Sequence, residues 1–279
     1  MEEKKITIKV VSEYLIISWN IDGLRPEVWT YLKDQILSKK PHIFCLNETK
    51  KPVEFLKEMF SSLEDYNFII NSHNPPRWHG VTILIRKDVK YTQILSTLKC
   101  LPRKGTISND PACGRVITIS VNGRFNLVAT YVPNSGVDRK NPLKNLPYRI
   151  KEWDPALFSY LNDLSNTGPT IWIGDINVCP EFIDVSHPKS MIRYAGFTKE
   201  ERESLEKFIK NSGWIDIWRL QHPNDKVYSY RGYTKTFGGM RLDNVIVSKD
   251  LKNKISESFI DYDCPVDTDH TPIGIKLNI

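Results

Sequence analysis

The stretch IWIGDINV, Ile171 to Val178, begins as a buried strand and then delivers a carboxylate, Asp175, and an amide, Asn177, two positions apart. In extended backbone, residues two apart point to one side, so the segment predicts a strand that ends by presenting two polar groups together. The pattern recurs. YLIISWN (14–20), HIFCLNE (42–48), VTILIRK (81–87), RVITISV (115–121), FNLVATYV (125–132), NVIVSKD (244–250) and TPIGIKLNI (271–279) are short runs rich in Ile and Val, bounded by turn residues, and read as strands. Between them, RPEVWTYLKDQILSKK (25–40), VEFLKEMFSSLE (53–64), RIKEWDPALFSYLNDLS (149–165) and TKEERESLEKFIKNS (198–212) carry helical spacing. The last opens with Thr198 and Glu201 three residues on, a capping box. Asn122-Gly123 predicts a tight turn joining two of the strands. Strands in hairpins beside strand-helix-strand units predict an α/β fold of two packed mixed sheets with helices outside.

Composition bounds the function. With 279 residues, 40% hydrophobic and 26% charged, the chain has ordinary globular composition and predicts one domain over 1–279, with residues 1–12 loosely ordered. No apolar run is long enough to span a bilayer, and the start lacks a secretory signal. The five cysteines, Cys45, Cys100, Cys113, Cys179 and Cys264, are scattered and form no C-x-x-C pair, which argues against a disulfide framework or a zinc site. An intracellular, reducing compartment is expected, either nuclear or cytoplasmic and virus-associated. The excess of 39 Lys and Arg over 33 Asp and Glu favours a polyanionic partner, although charge alone is a weak guide.

The polar groups at strand ends carry the chemistry. Asn20 and Asp22 follow YLIIS, Glu48 follows HIFCLN, Asp243 precedes VIVS, and Asp269 and His270 precede IGIKL. Singly, such residues suit turns. Together with Asp175 they are five carboxylates that packed sheets can gather on one rim. An oxygen-rich cluster suits Mg²⁺, which binds through one or two carboxylates and substrate phosphate. General acid-base help supplies about 10²–10⁴-fold, whereas phosphate ester hydrolysis needs about 10¹⁷-fold or more. The cluster therefore points to metal-assisted phosphoryl transfer.

Nine blocks in order, SWNIDGLR, LNETK, YVPNSG, YRIKEWD, GDINV, AGFTKEER, WRLQHP, RLDNVIVS and TDHTPI, span nearly the whole chain. They resemble the exonuclease III-like apurinic/apyrimidinic (AP) endonucleases of the endonuclease/exonuclease/phosphatase superfamily. The resemblance implies a four-layered α/β sandwich of the exonuclease III/DNase I type. It implies an endonuclease that cleaves double-stranded DNA 5′ to an abasic site, leaves a 3′-hydroxyl, and has 3′-phosphodiesterase and 3′-5′ exonuclease side activities. It further implies Mg²⁺, with Mn²⁺ able to substitute, and a monomer. Residue by residue, Glu48, Asp22 and Asp269 match metal ligands. Asp175 matches the base that activates water, and Asn20 and Asn177 match amides that hold it and the phosphate. His270, oriented by Asp243, and Tyr131 match donors to the phosphate. Arg25, Lys50, Arg149 and Arg193 lie in or beside motif loops as candidates for the DNA backbone. Tyr230, Met240 and Leu242 match the apolar pocket for the sugar. The chain departs from the pattern at Asn47, Asn244, Met240, Arg231, Met191 and Tyr194, which bears on substrate preference. Two alternatives share these features: a phosphodiesterase or phosphatase of the superfamily acting on a non-DNA substrate, and a catalytically silent DNA-binding module.

Overall fold

Residue alternation in the apolar runs sets up two inner faces and two outer faces, and the computed structural model shows all four covered. It describes residues 12–73, 76–94, 98, 114–136, 140–232, 238–262, 264 and 268–279; most of the expected N-terminal tail, together with Cys100 and Cys113, lies outside them. In chain order the elements are β1 (Glu13–Asn20), α1 (Pro26–Lys39), β2 (Ile43–Asn47), α2 (Val53–Ser61), β3 (Tyr66–Asn71), β4 (Val81–Arg86), β5 (Tyr91–Ile94), β6 (Val116–Val121) and β7 (Phe125–Tyr131). There follow α3 (Leu146–Tyr148), a π-helical turn over Arg149–Trp153, α4 (Asp154–Ser165), β8 (Thr170–Asp175), α5 (Pro188–Met191), α6 (Lys199–Ser212), β9 (Ile215–Asp216) and α7 (Ile217–Gln221). The chain closes with β10 (Tyr230–Arg231), β11 (Gly239–Met240), β12 (Asp243–Val247), β13 (Ile255–Ile260) and β14 (Ile273–Asn278).

Among the described residues two six-stranded sheets form, in the orders β13-β14-β1-β2-β4-β3 and β5-β6-β7-β8-β12-β9, beside a two-stranded β10-β11 pair. Ile16, Ile43, Cys45 and Ile83 from the first face Ile119, Leu127, Ile171, Ile173 and Val245 from the second. The alternate residues point outward. Ile17, Trp19, Phe44 and Leu46 pack under Val28, Leu32 and Ile36 of α1 and Leu56 and Phe60 of α2. Val128, Trp172 and Ile246 pack under Leu157 and Leu161 of α4 and Leu205 and Phe208 of α6. Burial on both faces explains why these strands read as nearly continuous apolar runs.

The eight sequence-predicted strands are present, and β3, β5, β13 and the two-residue β9, β10 and β11 add to them. β3, β5 and β13 give no clear strand pattern in the sequence because their residues are partly exposed or interrupted by polar ones. Asn122 and Gly123 take φ of 52° and 65° and join β6 to β7, as the turn chemistry requires. The capping box at Thr198 and Glu201 is formed.

Each sheet contains one parallel pair built as strand, helix, strand: β1-α1-β2 and β7-α4-β8. Parallel strands end at the same edge. Asn20 pairs in register with Asn47, and Tyr131 with Asp175. The antiparallel neighbour β12 begins there, Asp243 opposite Asp175. His270, three residues before β14, hangs over the same edge through the Trp19 indole, whose N–H donates to the His270 carbonyl at 3.1 Å.

Candidate active site

Asp175 is at the centre. Its backbone N–H donates to Asn47 Oδ1 across the sheets at 3.1 Å, its Oδ2 accepts from Asn20 Nδ2 at 3.0 Å, and its Oδ1 accepts from the Asn177 backbone N–H at 2.9 Å. Gly174 makes this possible. Its φ is +134°, and a Cβ there would stand 2.1 Å from the Thr130 carbonyl oxygen and 3.0 Å from Asn47 Oδ1. The unusual Asn47 is thus the residue that ties the Asp175 backbone to the other sheet.

Asn20 also donates to Glu48 Oε1 at 2.9 Å, and its Oδ1 accepts from the Asp22 backbone N–H at 3.1 Å. Asp22, Glu48, Lys50 and Asn177 all have positive φ, between 43° and 55°. Each such residue costs roughly 1 kcal/mol or more, which neighbouring bonds must offset. Here Gly23 N–H donates to the Glu48 carbonyl, Leu24 N–H to that of Thr49, and Lys50 N–H to that of His79. From this left-handed backbone the side chains of Asp22, Glu48 and Lys50 converge on one another.

Asn177 has its amide oriented on both sides. Its Oδ1 accepts from Asn134 Nδ2 at 2.8 Å and its Nδ2 donates to the Val132 carbonyl at 2.8 Å, which leaves a second N–H for a ligand. Asn134 was not among the expected site residues; YVPN carried the signal. Opposite, His270 Nδ1 lies 2.6 Å from Asp243 Oδ2 and its Nε2 lies 3.9 Å from Asp175 Oδ2. Because Nδ1–H serves Asp243, Nε2 is the nitrogen that meets a ligand.

The buried charges alter one another. Burial, then the charge of Asp243, pushes Asp175 up to about 8, against the pull of His270. Burial alone would lower the His270 imidazole, but the Asp243 carboxylate outweighs it and raises it to about 10. Burial and the charges of Glu48 and Asp175 hold the Tyr131 phenol well above its ordinary value, so it stays a neutral O–H donor. The Tyr131 ring lies against Arg115, 5.1 Å from the guanidinium, and 5.5 Å from the His79 ring.

A cation position is marked within the cluster. Lys50 Nζ stands 2.6 Å from Asp22 Oδ1 and 2.6 Å from Glu48 Oε2, so an ammonium sits where two carboxylates converge. Hard oxygen donors at that point suit a divalent ion. A second group, Asp175, Asp243 and His270, offers ligating atoms within 4.8 Å of one another. In it Asp243 Oδ1 is buried with no hydrogen-bond partner among the described residues. The donor set fits a divalent metal.

Not every expected residue joins this cluster. Arg149, expected at the DNA backbone, is buried instead: its guanidinium pairs with Asp154 and donates to the carbonyls of Pro133 at 3.0 Å and Ile176 at 2.9 Å. It braces the end of β8 and is closed to phosphate. Lys50 holds Asp22 and Glu48, Arg25 lies 3.7 Å from Asp22 Oδ2 and pairs with Glu27, and Arg193 is exposed. Asp269 acts on His270 through its charge, and its carbonyl accepts from Arg231 N–H at 2.7 Å. Met240 and Leu242 pack with Cys179, Val185, Met191 and Phe197 in a buried cluster, with the partly buried Tyr230 against it and its ring 4.9 Å from that of His270. Behind them Arg241 is fully buried between Asp184 and Asp216, and Asn244 accepts from it. Asn244 stands where the family pattern has an aromatic, and here it completes this ion cluster.

The profile of the Endonuclease/Exonuclease/phosphatase family matches residues 17–270. A DNA-(apurinic or apyrimidinic site) endonuclease of Dictyostelium discoideum is 34% identical over 270 residues, which cover 95% of this chain and 70% of that one. An exodeoxyribonuclease of Bacillus subtilis is 30% identical over 276 residues, 95% of this chain and 99% of that one. The crystal structure of the AP endonuclease LMAP from Leishmania major superposes with a TM-score of 0.80 at 26% identity, covering 96% of this chain and 88% of that one.

Proposed function

Because the chain belongs to the endonuclease/exonuclease/phosphatase family, we propose that it is a DNA repair endonuclease that hydrolyses the phosphodiester bond 5′ to an abasic site and leaves a 3′-hydroxyl. The observation that carries the reading is the convergence of Asn20, Glu48, Asp175, Asn177, Asp243 and His270, drawn from both sheets, at one edge. Mg²⁺, with Mn²⁺ as substitute, would be held by Glu48 and Asp22, with Asp269 as a further candidate ligand, and would supply charge stabilisation at the phosphate.

The chain's own residues do the rest. Asp175, held by three hydrogen bonds and raised in pKa, takes a proton from the attacking water; a base poised near neutrality is the efficient one. His270, cationic through Asp243, donates from Nε2 to a phosphate oxygen, and the free N–H of Asn177 and the Tyr131 phenol add donors where charge develops. Tyr230 beside His270, with Met240 and Leu242 behind, forms the wall that meets the sugar. A lost base leaves nothing to unstack, so an abasic nucleotide reaches this wall at lower cost than a normal one. A monomer is part of this reading, and the buried free thiols Cys45 and Cys179 suit a reducing compartment. Among the described residues, no helix is long and apolar enough to cross a membrane. Similarity to an exodeoxyribonuclease supports a 3′-5′ exonuclease side activity, and a 3′-phosphodiesterase side activity is proposed with it.

The test is a duplex with one abasic-site analogue, incubated with Mg²⁺ or with chelator. One incision immediately 5′ to the lesion is expected, abolished by chelator, by Glu48→Gln and by Asp175→Asn. An uncut strand in Mg²⁺ refutes the activity. Equal cutting of undamaged duplex refutes the selection of abasic sites.

A further inference from the structure

Lys50 was expected to meet the DNA backbone, yet its ammonium lies 2.6 Å from each of two carboxylates, Asp22 Oδ1 and Glu48 Oε2. The side chain is half-buried, and its own backbone is held in the left-handed region at φ 52° by the N–H donated to the His79 carbonyl. Arg25 does not duplicate it. The Arg25 guanidinium reaches Asp22 Oδ2 at 3.7 Å but turns its Nε to Glu27, whereas Lys50 bridges both carboxylates at bonding distance. We infer that Lys50 is the resident counter-cation of the Asp22–Glu48 pair, that a divalent ion must displace it to bind there, and that displacement frees the ammonium for a substrate phosphate.

The physical grounds are exclusion and charge. Two acceptors that converge on one ammonium nitrogen at 2.6 Å leave no room at that point for a second cation. Like charges a few ångströms apart repel even through water, and a divalent ion is repelled more strongly than a monovalent one. Glu48 stays aimed at the point without Lys50, because Asn20 Nδ2 holds its other oxygen at 2.9 Å. Asp22 is tethered through its N–H to Asn20 Oδ1 at 3.1 Å. The carboxylates are therefore prearranged, and the lysine is the movable part. Metal binding and phosphate binding become coupled, since one event releases the cation that the other uses. The inference rests on reading Asp22 and Glu48 as metal ligands.

The experiment titrates Mn²⁺ into the DNA-free protein by calorimetry, comparing wild type with Lys50→Met, Lys50→Gln and the remote control Lys39→Met, which removes equal charge from a pair with Asp261. Lys50→Met and Lys50→Gln should bind Mn²⁺ at least about tenfold more tightly than wild type, and Lys39→Met within twofold of it. Binding by the Lys50 variants that is unchanged or weaker overturns the inference while leaving the metal site intact. No Mn²⁺ binding by any of the proteins overturns the metal-site reading and the lysine's role together. A crystal structure of wild type with Mn²⁺ gives a readout that does not depend on how the variants fold. There Nζ should have left both carboxylates, and an ammonium still bridging them refutes displacement.

Discussion

Replacing Gly174 by alanine tests whether backbone contact, and not only side-chain identity, sets the chemistry. The new Cβ would stand 2.1 Å from the Thr130 carbonyl oxygen of β7 and 3.0 Å from Asn47 Oδ1, at a φ of +134° that L-residues rarely adopt. Both neighbours are fixed. Thr130 lies in the parallel β7-β8 pair, and Asn47 is the acceptor for the Asp175 N–H. Relief of the clash requires β8 to move from β7 by about 1 Å, since ordinary carbon–oxygen contact begins well above 3 Å. Asp175 is the next residue and moves with it. Misplacing a catalytic group by about 1 Å costs on the order of 100-fold in rate, and strain with lost packing costs about 3 kcal/mol, or roughly 6–12 °C in melting temperature. Gly123→Ala separates conformation from collision. That glycine has φ of +65° with nothing within 4 Å of its would-be Cβ, so the variant should lose about 1 kcal/mol and no activity. Steady-state incision of the abasic duplex, beside thermal melts, reads both variants. Gly174→Ala cutting within threefold of wild type would refute the reasoning.

Tyr131→Phe should lower the incision rate about 10- to 100-fold, the worth of one hydrogen bond to a charged group, with the melting temperature unchanged; an unaltered rate would remove Tyr131 from the donor set. Asn134→Ala releases the Asn177 amide oxygen and should slow incision about tenfold or more while binding of the abasic duplex weakens less; loss confined to binding would show that Asn134 does not act through Asn177. Burial alone would raise the Asp184 carboxyl, but Arg241 and Arg219 hold it below its ordinary value. Its stabilisation is therefore complete above the unfolded carboxylate range and fades as pH falls through the folded value. Asp184→Asn should lose about 3–5 kcal/mol at pH 7, with a smaller deficit in urea melts near pH 3; an equal deficit at both pH values would show that the ion cluster is not the cause.

The legible part of the molecule was local. Ile and Val at alternating, doubly buried positions marked β1, β2, β4, β6, β7, β8, β12 and β14 because their side chains meet hydrocarbon on both faces. The half-exposed β3 and β5 gave no such signal. Asp175, Asn177 and His270 were legible as polar groups beside such strands. Arg149 misled because a cation in a motif loop looks the same in sequence whether it faces phosphate or, as here, closes on Asp154 and three backbone carbonyls.

By itself the order of residues determined where strands stop and which polar groups stand at their ends, since periodicity of burial and turn chemistry act over a few neighbours. The tertiary structure alone decided which of those ends meet. Asn20 reaches Asp175 across 155 positions of chain, and Asp175 is held by Asn47 across 128; sheet register and the stacking of two sheets bring them together. It also decided that Lys50 faces two carboxylates rather than open solvent. That direction follows from left-handed backbone at Asp22, Glu48 and Lys50, a conformation sustained by bonds to distant loops and written in no one of these residues.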